Sequence, residues 1–512
     1  MASMGGMTVT EPDVELSETH TIINPASGAV AGEVRWTDPA DVPRIAAGLR
    51  TAQRNWEQLG ASGRATVLAR FAVWLGEHRE EIEELLICET GKAAGDAAQE
   101  VPLLIMILSY YIKTMEKSLA PETRPASLPF LAIKKVTVYY RPRPIVGVIA
   151  PWNYPVANAL MDAIGALAAG CSVLLKPSER TPLTAELLRH GWLESGGPEV
   201  LELAQGAREV SEAVVDESDF VQFTGSSATG RKVMERAARR LTPVSLELGG
   251  KDPMIVLEDA DVDLAAHAAV WGAMFNAGQT CVSVERVYAL EPVYDRFVAA
   301  VLRDVEALQV GAGEGHHFGS LIDEQQLAVT ERHVREAVAA GARALTGGQR
   351  ADGPGSFYPP TVLVDVDHSM ACMTEETFGP TLPIMKVPTV AEAVRLANDS
   401  PYGLSAAVFS SDTARAKDVA LQLDCGAVNI NDVISNLMCT TAPMGGWKTS
   451  GIGVRFGGAE GVRKFCRQET IVAPRTSVGA GSNFYHNSLT VLSRVNKLMT
   501  WLALARPRRM AR

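Results

Sequence analysis

Cysteine is scarce in this chain: seven among 512 residues, odd in number, with no two in a CxxC pair. That spacing excludes a disulfide framework and a zinc-finger signature, and it fits a reducing compartment such as the cytoplasm. Aromatic residues make up only 6%. No apolar run reaches the roughly 18 residues that a membrane span needs. Excess positive charge is also missing. The net charge of −11 argues against nucleic acid as the main partner, because such a surface has to be basic. The opening MASMGGMTVTEPDVELSE lacks both a basic stretch and an apolar core, so it does not read as a signal peptide. Residues 1–20 are expected to form a flexible leader.

What is present describes an ordinary globular protein, with 47% hydrophobic and 21% charged residues. Its length exceeds what one hydrophobic core usually supports, so two or three structural units are expected. Helical periodicity marks 40–59, 64–88 and 94–117. KKVTVYYRPRPIVGVIA, near 135–150, alternates and turns β-branched. It reads as a two-stranded ribbon leading into a buried strand. Strands and helices then alternate: SVLLKPS, ELLRHGWLES, DFVQFTG, ATGRKVMERAARR, VSLELGG and PMIVLED. That rhythm predicts βαβ units, a mainly parallel sheet and an α/β fold class. A second run of such units from about 282 to 430 predicts a second α/β lobe, and GQRADGPGS at 348–356 reads as a surface loop.

No GxGxxG follows the first strand, so the usual dinucleotide fingerprint is absent. VGAGEG at 310–315 and GIGVRFG at 451–457 have the wrong spacing. The better phosphate candidate is FTGSSATG at 223–230, between a strand and a helix. There Gly225 and Gly230 would let backbone approach a diphosphate at a helix N-terminus; a plain tight turn is the other reading. In LLKPSE, Lys176 and Glu179 stand at the end of a very apolar strand. They could bond ribose hydroxyls, or be a solvated ion pair. Glu247, in VSLELGGK, is a carboxylate among apolar residues. It would be pushed toward neutrality and suited to act as a base, unless it caps a helix or serves a structural ion pair.

FNAGQTC ends in Cys281 just after the helical DVDLAAHAAVWGAM, and its composition stops a helix and starts a turn. The cysteine is either a small hydrophobe closing that turn or a nucleophile beside free backbone N–H groups. Asp259-Ala-Asp-Val-Asp263 lacks the Gly and Glu of a calcium loop and reads as an acid-rich helix start. His316 and His317 have no partner at metal spacing, no GxSxG elbow occurs, and no metal is expected.

Together these pieces resemble the NAD(P)-dependent aldehyde dehydrogenase superfamily. PWNYP at 151–155, LLKPSE at 174–179, FTGSSATG at 223–230, LELGGK at 246–251, NAGQTC at 276–281, EETFGP at 375–380 and GGWKTSGIG at 445–453 run in that family's order. The 34-residue separation of Glu247 and Cys281 also matches. The resemblance implies a Rossmann-like NAD-binding lobe (21–123, 143–249 and 449–468) and an α/β catalytic lobe (250–448). It also implies a β ribbon (124–142 with 469–478) that joins subunits into a homo-dimer or homo-tetramer.

Catalysis would run through Cys281 as thiolate, with Asn153 and the Cys281 N–H holding the oxyanion and Glu247 activating water. Family members that transfer the acyl group to coenzyme A generally lack that glutamate, so its presence favours hydrolysis. Lys176, Glu376, Ser226, Gly225, Gly230, Trp152 and Phe378 would bind the cofactor. Glu179 suits a free ribose 2′-hydroxyl, which favours NAD over NADP. Tyr154, Met161, Phe275 and Val282 would line the substrate tunnel. Met161 and Phe275 replace the two arginines of the succinate-semialdehyde branch, so an apolar aliphatic or aromatic aldehyde is expected. Asn158 and Asp162 depart from the family, which has a large hydrophobe and a lysine there. A succinate-semialdehyde or coenzyme A-acylating enzyme, or a structural protein on the same scaffold, are the alternatives.

The tail 479–512 is a second departure, without a single acid after Glu469. In SLTVLSRVNKLMTWLALARPRRMAR, Leu492, Val495, Met499 and Leu502 share one helical face, with Ser493, Asn496, Lys497 and Thr500 opposite. Arg506, Arg508, Arg509 and Arg512 follow. Such a helix, 488–512, would lie on an anionic membrane surface, or else pack on a neighbouring subunit or cover the substrate entrance.

Overall fold

A computed structural model describes residues 19–125, 134–475 and 489–510. The expected leader (apart from residues 19 and 20), the ribbon residues 126–133 and the start of the tail lie outside the described residues. Two mainly parallel sheets organise the chain, each with one antiparallel edge strand. The first has the order Gly451–Ile452, Val244–Glu247, Phe220–Thr224, Ile145–Ile149, Ser172–Lys176, Leu201–Leu203. Only the edge strand Gly451–Ile452 runs antiparallel. The three innermost strands are buried along their whole length, as their continuous apolar runs require of a sheet covered on both faces.

Strand order reverses at Ile145–Ile149: the next strand in sequence pairs on one side of it, and Phe220–Thr224 on the other. At such a point the connecting helices diverge above the carboxyl ends of the strands and open a crevice. The second sheet runs Arg343–Ala344, Thr361–Val364, Thr381–Val387, Val284–Leu290, Asp252–Val256, Ser405–Phe409, Ala427–Ile430. The fold class is that of the sequence reading, α/β with a Rossmann-like sheet.

Several local expectations need correction. The helix expected over 64–88 is two, Gly60–Glu77 and Arg79–Thr90. They break at His78, whose φ of −104° and ψ of 17° leave the helical range. The helix expected over 94–117 becomes a single turn, Ala94–Ala97, and then Glu100–Leu119. Lys134–Pro142 is one strand rather than a hairpin. It pairs with Glu122–Arg124 and with the distant Cys466–Pro474, because Arg143 and Pro144 carry the chain straight into the next strand. Residues 348–356 form an irregular, mostly exposed loop, and Asp261 caps the helix Val262–Met274, as expected.

The tail forms the helix Leu489–Met510. Among its described side chains, Val495, Met499 and Leu502 are half-buried, and Ser493, Asn496, Lys497 and Thr500 are exposed. Leu498 and Trp501, more than half exposed, widen the apolar stripe beyond the face expected. The side chains of Leu492, Arg506, Arg508 and Arg509, and all of Arg512, lie outside the described residues. No helix among the described residues is long and apolar enough to cross a membrane.

Candidate active site

A cleft of about 1160 Å³ opens at the carboxyl ends of the first sheet, where strand order reverses. Trp152, Asn153, Lys176, Glu179, Gly225, Ser226, Cys281, Glu376 and Phe378 all line it. These residues come from five separate sequence segments, brought together by the strand ends that carry them. Gly230 does not line the cleft. A Cβ there would meet Leu248, so this glycine lets the helix Ser227–Ala238 pack closely on the sheet. That corrects the expectation that it approaches a ligand. Ser226 caps that helix, accepting from the Thr229 N–H at 3.2 Å, and the helix N-terminus faces the cleft.

Lys176 Nζ donates to Glu179 Oε2 at 2.9 Å. Partial burial pushes the Glu179 carboxyl upward, but the Lys176 charge and hydrogen bond, a backbone hydrogen bond and the Arg180 charge together outweigh it and hold the group below its ordinary range. Trp152 and Phe378 meet edge to face, 5.6 Å between ring centres. Phe378 sits at φ 55°, and its N–H donates to Glu285 Oε1 at 2.9 Å. Glu285 in turn pairs with buried Lys251 at 2.6 Å, so this ion pair fixes the loop that carries Glu376. Glu376 Oε1 accepts from the Gly250 N–H at 3.0 Å. A Cβ on Gly249 would collide with the Glu376 carboxylate, and one on Gly250 with the Cys281 carbonyl. The two glycines of LELGGK therefore allow three segments to meet.

The helix Val262–Met274 ends before Cys281, and Asn276, Ala277 and Gly278 all take left-handed conformations at φ 55°, 55° and 73°. A Cβ on Gly278 would strike the Gly379 carbonyl. Cys281 thus follows the carbonyl end of a helix rather than its N–H end, and the helix dipole does not favour an anion there. Although its surface is partly open to the cleft, burial pushes the Cys281 thiol up to about 12; the Arg455 charge opposes this and Glu247 adds to it. Burial thus opposes the thiolate form that the family resemblance implies for Cys281. Cys281 is the one cysteine lining the cleft among the described residues.

Glu247 ends the strand Val244–Glu247 and is buried, with neither carboxylate oxygen bonded. Burial raises its pKa to about 7, opposed by Arg455 and reinforced by Asp162. Neutral in the fold and ionised when unfolded near pH 5–6, this carboxyl costs stability as pH rises through 7. Glu247→Gln removes that cost. Its stability gain over wild type is expected to be larger at pH 8 than at pH 5, by on the order of 2 kcal/mol. Paired melting curves at the two pH values check this; equal gains at both would contradict it.

Asn153 is fixed from several sides. Its Nδ2 donates to the Gln279 carbonyl at 2.9 Å, and its own carbonyl accepts from Lys92 Nζ at 2.7 Å and Asn276 Nδ2 at 3.0 Å. Lys92 pairs with Glu100, whose other oxygen accepts from the N–H groups of Val156 and Ala157 at the start of the helix Pro155–Ala169. Of the expected tunnel residues, Tyr154 and Phe275 face each other at 6.0 Å, and Trp271 stacks on Phe275. Met161 and Val282 are buried, and none of these four expected residues lines the large cleft.

The sequence reading missed Arg455 and Lys464, and it treated Asn158 and Asp162 only as departures. Arg455 Nη2 donates to Asn158 Oδ1 at 2.8 Å and to Asp162 Oδ2 at 3.3 Å. All three side chains are buried. The available signal was two polar residues four apart in an otherwise apolar helix, hence on one face and in need of partners.

The cleft is large enough for a dinucleotide. It offers a helix N-terminus, a paired lysine and carboxylate, and two aromatic rings. The sequence profile described as Aldehyde dehydrogenase family matches residues 13–471. A Mycobacterium ulcerans protein with the provisional name succinate-semialdehyde dehydrogenase [NADP(+)] 2 is 39% identical over 90% of each chain. A Methylomonas protein named 4,4'-diapolycopene aldehyde oxidase is 37% identical over 87% of this chain and 84% of its own. Among solved structures, a Mycobacterium tuberculosis aldehyde dehydrogenase complexed with NAD+ superposes with a TM-score of 0.85 at 35% identity. That match covers 92% of this chain and 97% of the other.

Proposed function

The chain belongs to the aldehyde dehydrogenase family, an aldehyde-oxidising oxidoreductase, and on that premise we propose that it oxidises an apolar aldehyde to its carboxylic acid, with NAD preferred over NADP. The observation that carries this reading is the meeting of Cys281 and Asn153 at one dinucleotide-sized cleft, with Glu247 buried behind them. The Cys281 thiol gives up its proton to water in the open cleft as its sulfur adds to the aldehyde carbon, and the resulting oxyanion is held by the Asn153 amide and the Cys281 N–H. NAD held in the cleft would supply the hydride acceptor. Loss of hydride leaves a thioester on Cys281. Glu247 then takes a proton from water, which attacks the thioester and releases the acid and the free thiol.

The apolar preference rests on Met161 and Phe275, which stand where a carboxylate-tailed substrate would need arginines. The relative named for succinate semialdehyde supports the opposite reading. NAD is preferred because the ionised Glu179 would repel a 2′-phosphate. Against it stand the NADP-dependent names of similar proteins and Lys232, which also lines the cleft. NADH or NADPH formation from hexanal, benzaldehyde, a long-chain aldehyde and succinate semialdehyde decides both questions. We expect turnover of the first three with NAD. Turnover of succinate semialdehyde alone, or with NADP alone, would sink the corresponding half of the reading.

A homo-dimer or homo-tetramer built on the exposed strand Cys466–Pro474 and a cytoplasmic location complete the proposal. The helix Leu489–Met510 adds peripheral membrane contact, supported by its exposed Leu498 and Trp501 and by the absence of acids after Glu469. The full chain is expected to sediment with anionic vesicles, and a chain truncated after Pro474 is not. Equal binding by both would remove the membrane role.

A further inference from the structure

We propose that Arg455 and Asn158 are positioning residues that dictate which way the Asn153 amide faces. The inference rests on the aldehyde-oxidising reading above. It comes from the direction of three consecutive hydrogen bonds. Arg455 Nη2 donates to Asn158 Oδ1 at 2.8 Å. Asn158 Nδ2 donates to Asn153 Oδ1 at 2.9 Å. Asn153 Nδ2 donates to the Gln279 carbonyl at 2.9 Å.

A side-chain amide has two faces of similar shape, and only its partners decide which carries the oxygen. Here the partners leave no choice. A guanidinium has five donors, no acceptor and a permanent charge, so the Asn158 oxygen must face it. The Asn158 NH2 group is then turned to Asn153, whose oxygen must accept it. Gln279 offers a carbonyl, which can only accept. The chain is therefore pinned by a pure donor at one end and a pure acceptor at the other.

All three side chains are buried, so a reversed amide would set two donors or two acceptors face to face without water to relieve them. Asp162, one helical turn on, accepts from the same Arg455 Nη2 at 3.3 Å, and Asp162 also accepts from Thr224 at 3.5 Å. Lys464 approaches the Arg455 carbonyl and Gln222, which keeps the backbone of that loop in place.

Asn153 and Asn158 line the cleft together with Cys281. One N–H of the Asn153 amide is engaged by Gln279; the second is left for the oxygen of an aldehyde bound to Cys281. A charged donor at the head of the chain also polarises each amide in turn, which strengthens the last donor. The pairing of an arginine at 455 with an asparagine at 158 thus does work that neither residue does at the reacting carbon itself.

The test measures kcat and KM for hexanal with saturating NAD over a range of pH, in wild type, Asn158→Asp, Asn158→Ala and Arg455→Lys. Asn158→Asp nearly keeps the volume but can only accept, so it draws the Asn153 NH2 group inward. Its kcat is expected to fall about 100-fold, the scale of losing one oxyanion donor. Asn158→Ala leaves Asn153 pinned by Gln279 alone, and a loss of about 10-fold is expected. Arg455→Lys keeps a pure donor and stays close to wild type. KM is expected to change little in all three. That order, with the better-sized residue the worse, is not what a packing role gives.

A charge effect on the Cys281 thiol would recover at high pH, whereas a turned amide does not. Full recovery at high pH, or an Asp variant as active as wild type, would overturn the positioning role alone. Should Asn158→Asp not fold, the other two decide: a loss in Asn158→Ala with Arg455→Lys retained supports the role, and an unaffected Asn158→Ala overturns it. A wild-type chain idle on every aldehyde overturns the underlying reading and the positioning role with it.

Discussion

Replacing Cys281 by serine is expected to lower kcat for aldehyde oxidation by about 10⁴-fold or more, while NAD binding is retained. A hydroxyl in the same place is a far weaker nucleophile, and nothing in the site is arranged to ionise it. The left-handed run Asn276–Ala277–Gly278 belongs to the backbone and would hold serine where it holds cysteine, so the loss reports chemistry rather than folding. Cys171, Cys372, Cys425 and Cys466 are buried, and no other cysteine lines the cleft among the described residues. A thiol elsewhere is therefore not in a position to substitute. Stopped-assay kinetics and cofactor fluorescence quenching check the two halves of this expectation. A serine variant within tenfold of wild type would mean that the carbon is attacked by another group.

Glu247→Gln is expected to act later in the cycle. The amide cannot take a proton from water, so the thioester forms and then persists. One equivalent of NADH per active site should appear in a burst, followed by turnover slower by about 10²–10⁴-fold. The wild-type enzyme should also gain activity as pH rises through about 7, because burial keeps the Glu247 carboxyl protonated below that point and only the ionised form is a base. Arg455 and Lys464 pull this titration down and Asp162 pushes it up, so substitutions among them shift the limb without abolishing it. The limb itself should vanish in Glu247→Gln. Unchanged steady-state turnover would remove Glu247 from the mechanism. Turnover restored only by coenzyme A would favour the acylating alternative.

How much of this was legible in the sequence differs from residue to residue. Glu247, Cys281 and Lys176 stand at strand ends or in turns whose local composition already separates them from the strands and helices around them. The alternation of buried strands and amphipathic helices was equally plain, since the continuous apolar runs at 145–149, 172–176 and 220–224 have few other uses. Gly230 was misread because a glycine that admits a ligand and one that admits a leucine look alike until Leu248 is in place. The Cys281 thiol was misjudged because desolvation comes from residues remote in sequence.

Arg455 was invisible for the same reason. It lies almost 300 residues from Asn158 and Asp162, the two partners that give it a role. Charged residues in loops are usually solvated, and only the fold reveals that this one is not.

The most direct test of the account is the mass of the Glu247→Gln protein after mixing with NAD and hexanal. The account predicts an added mass equal to the aldehyde less two hydrogens, released by hydroxylamine and mapped to the peptide that carries Cys281. An unmodified protein that nevertheless produces NADH, or an adduct on any other residue, would contradict it.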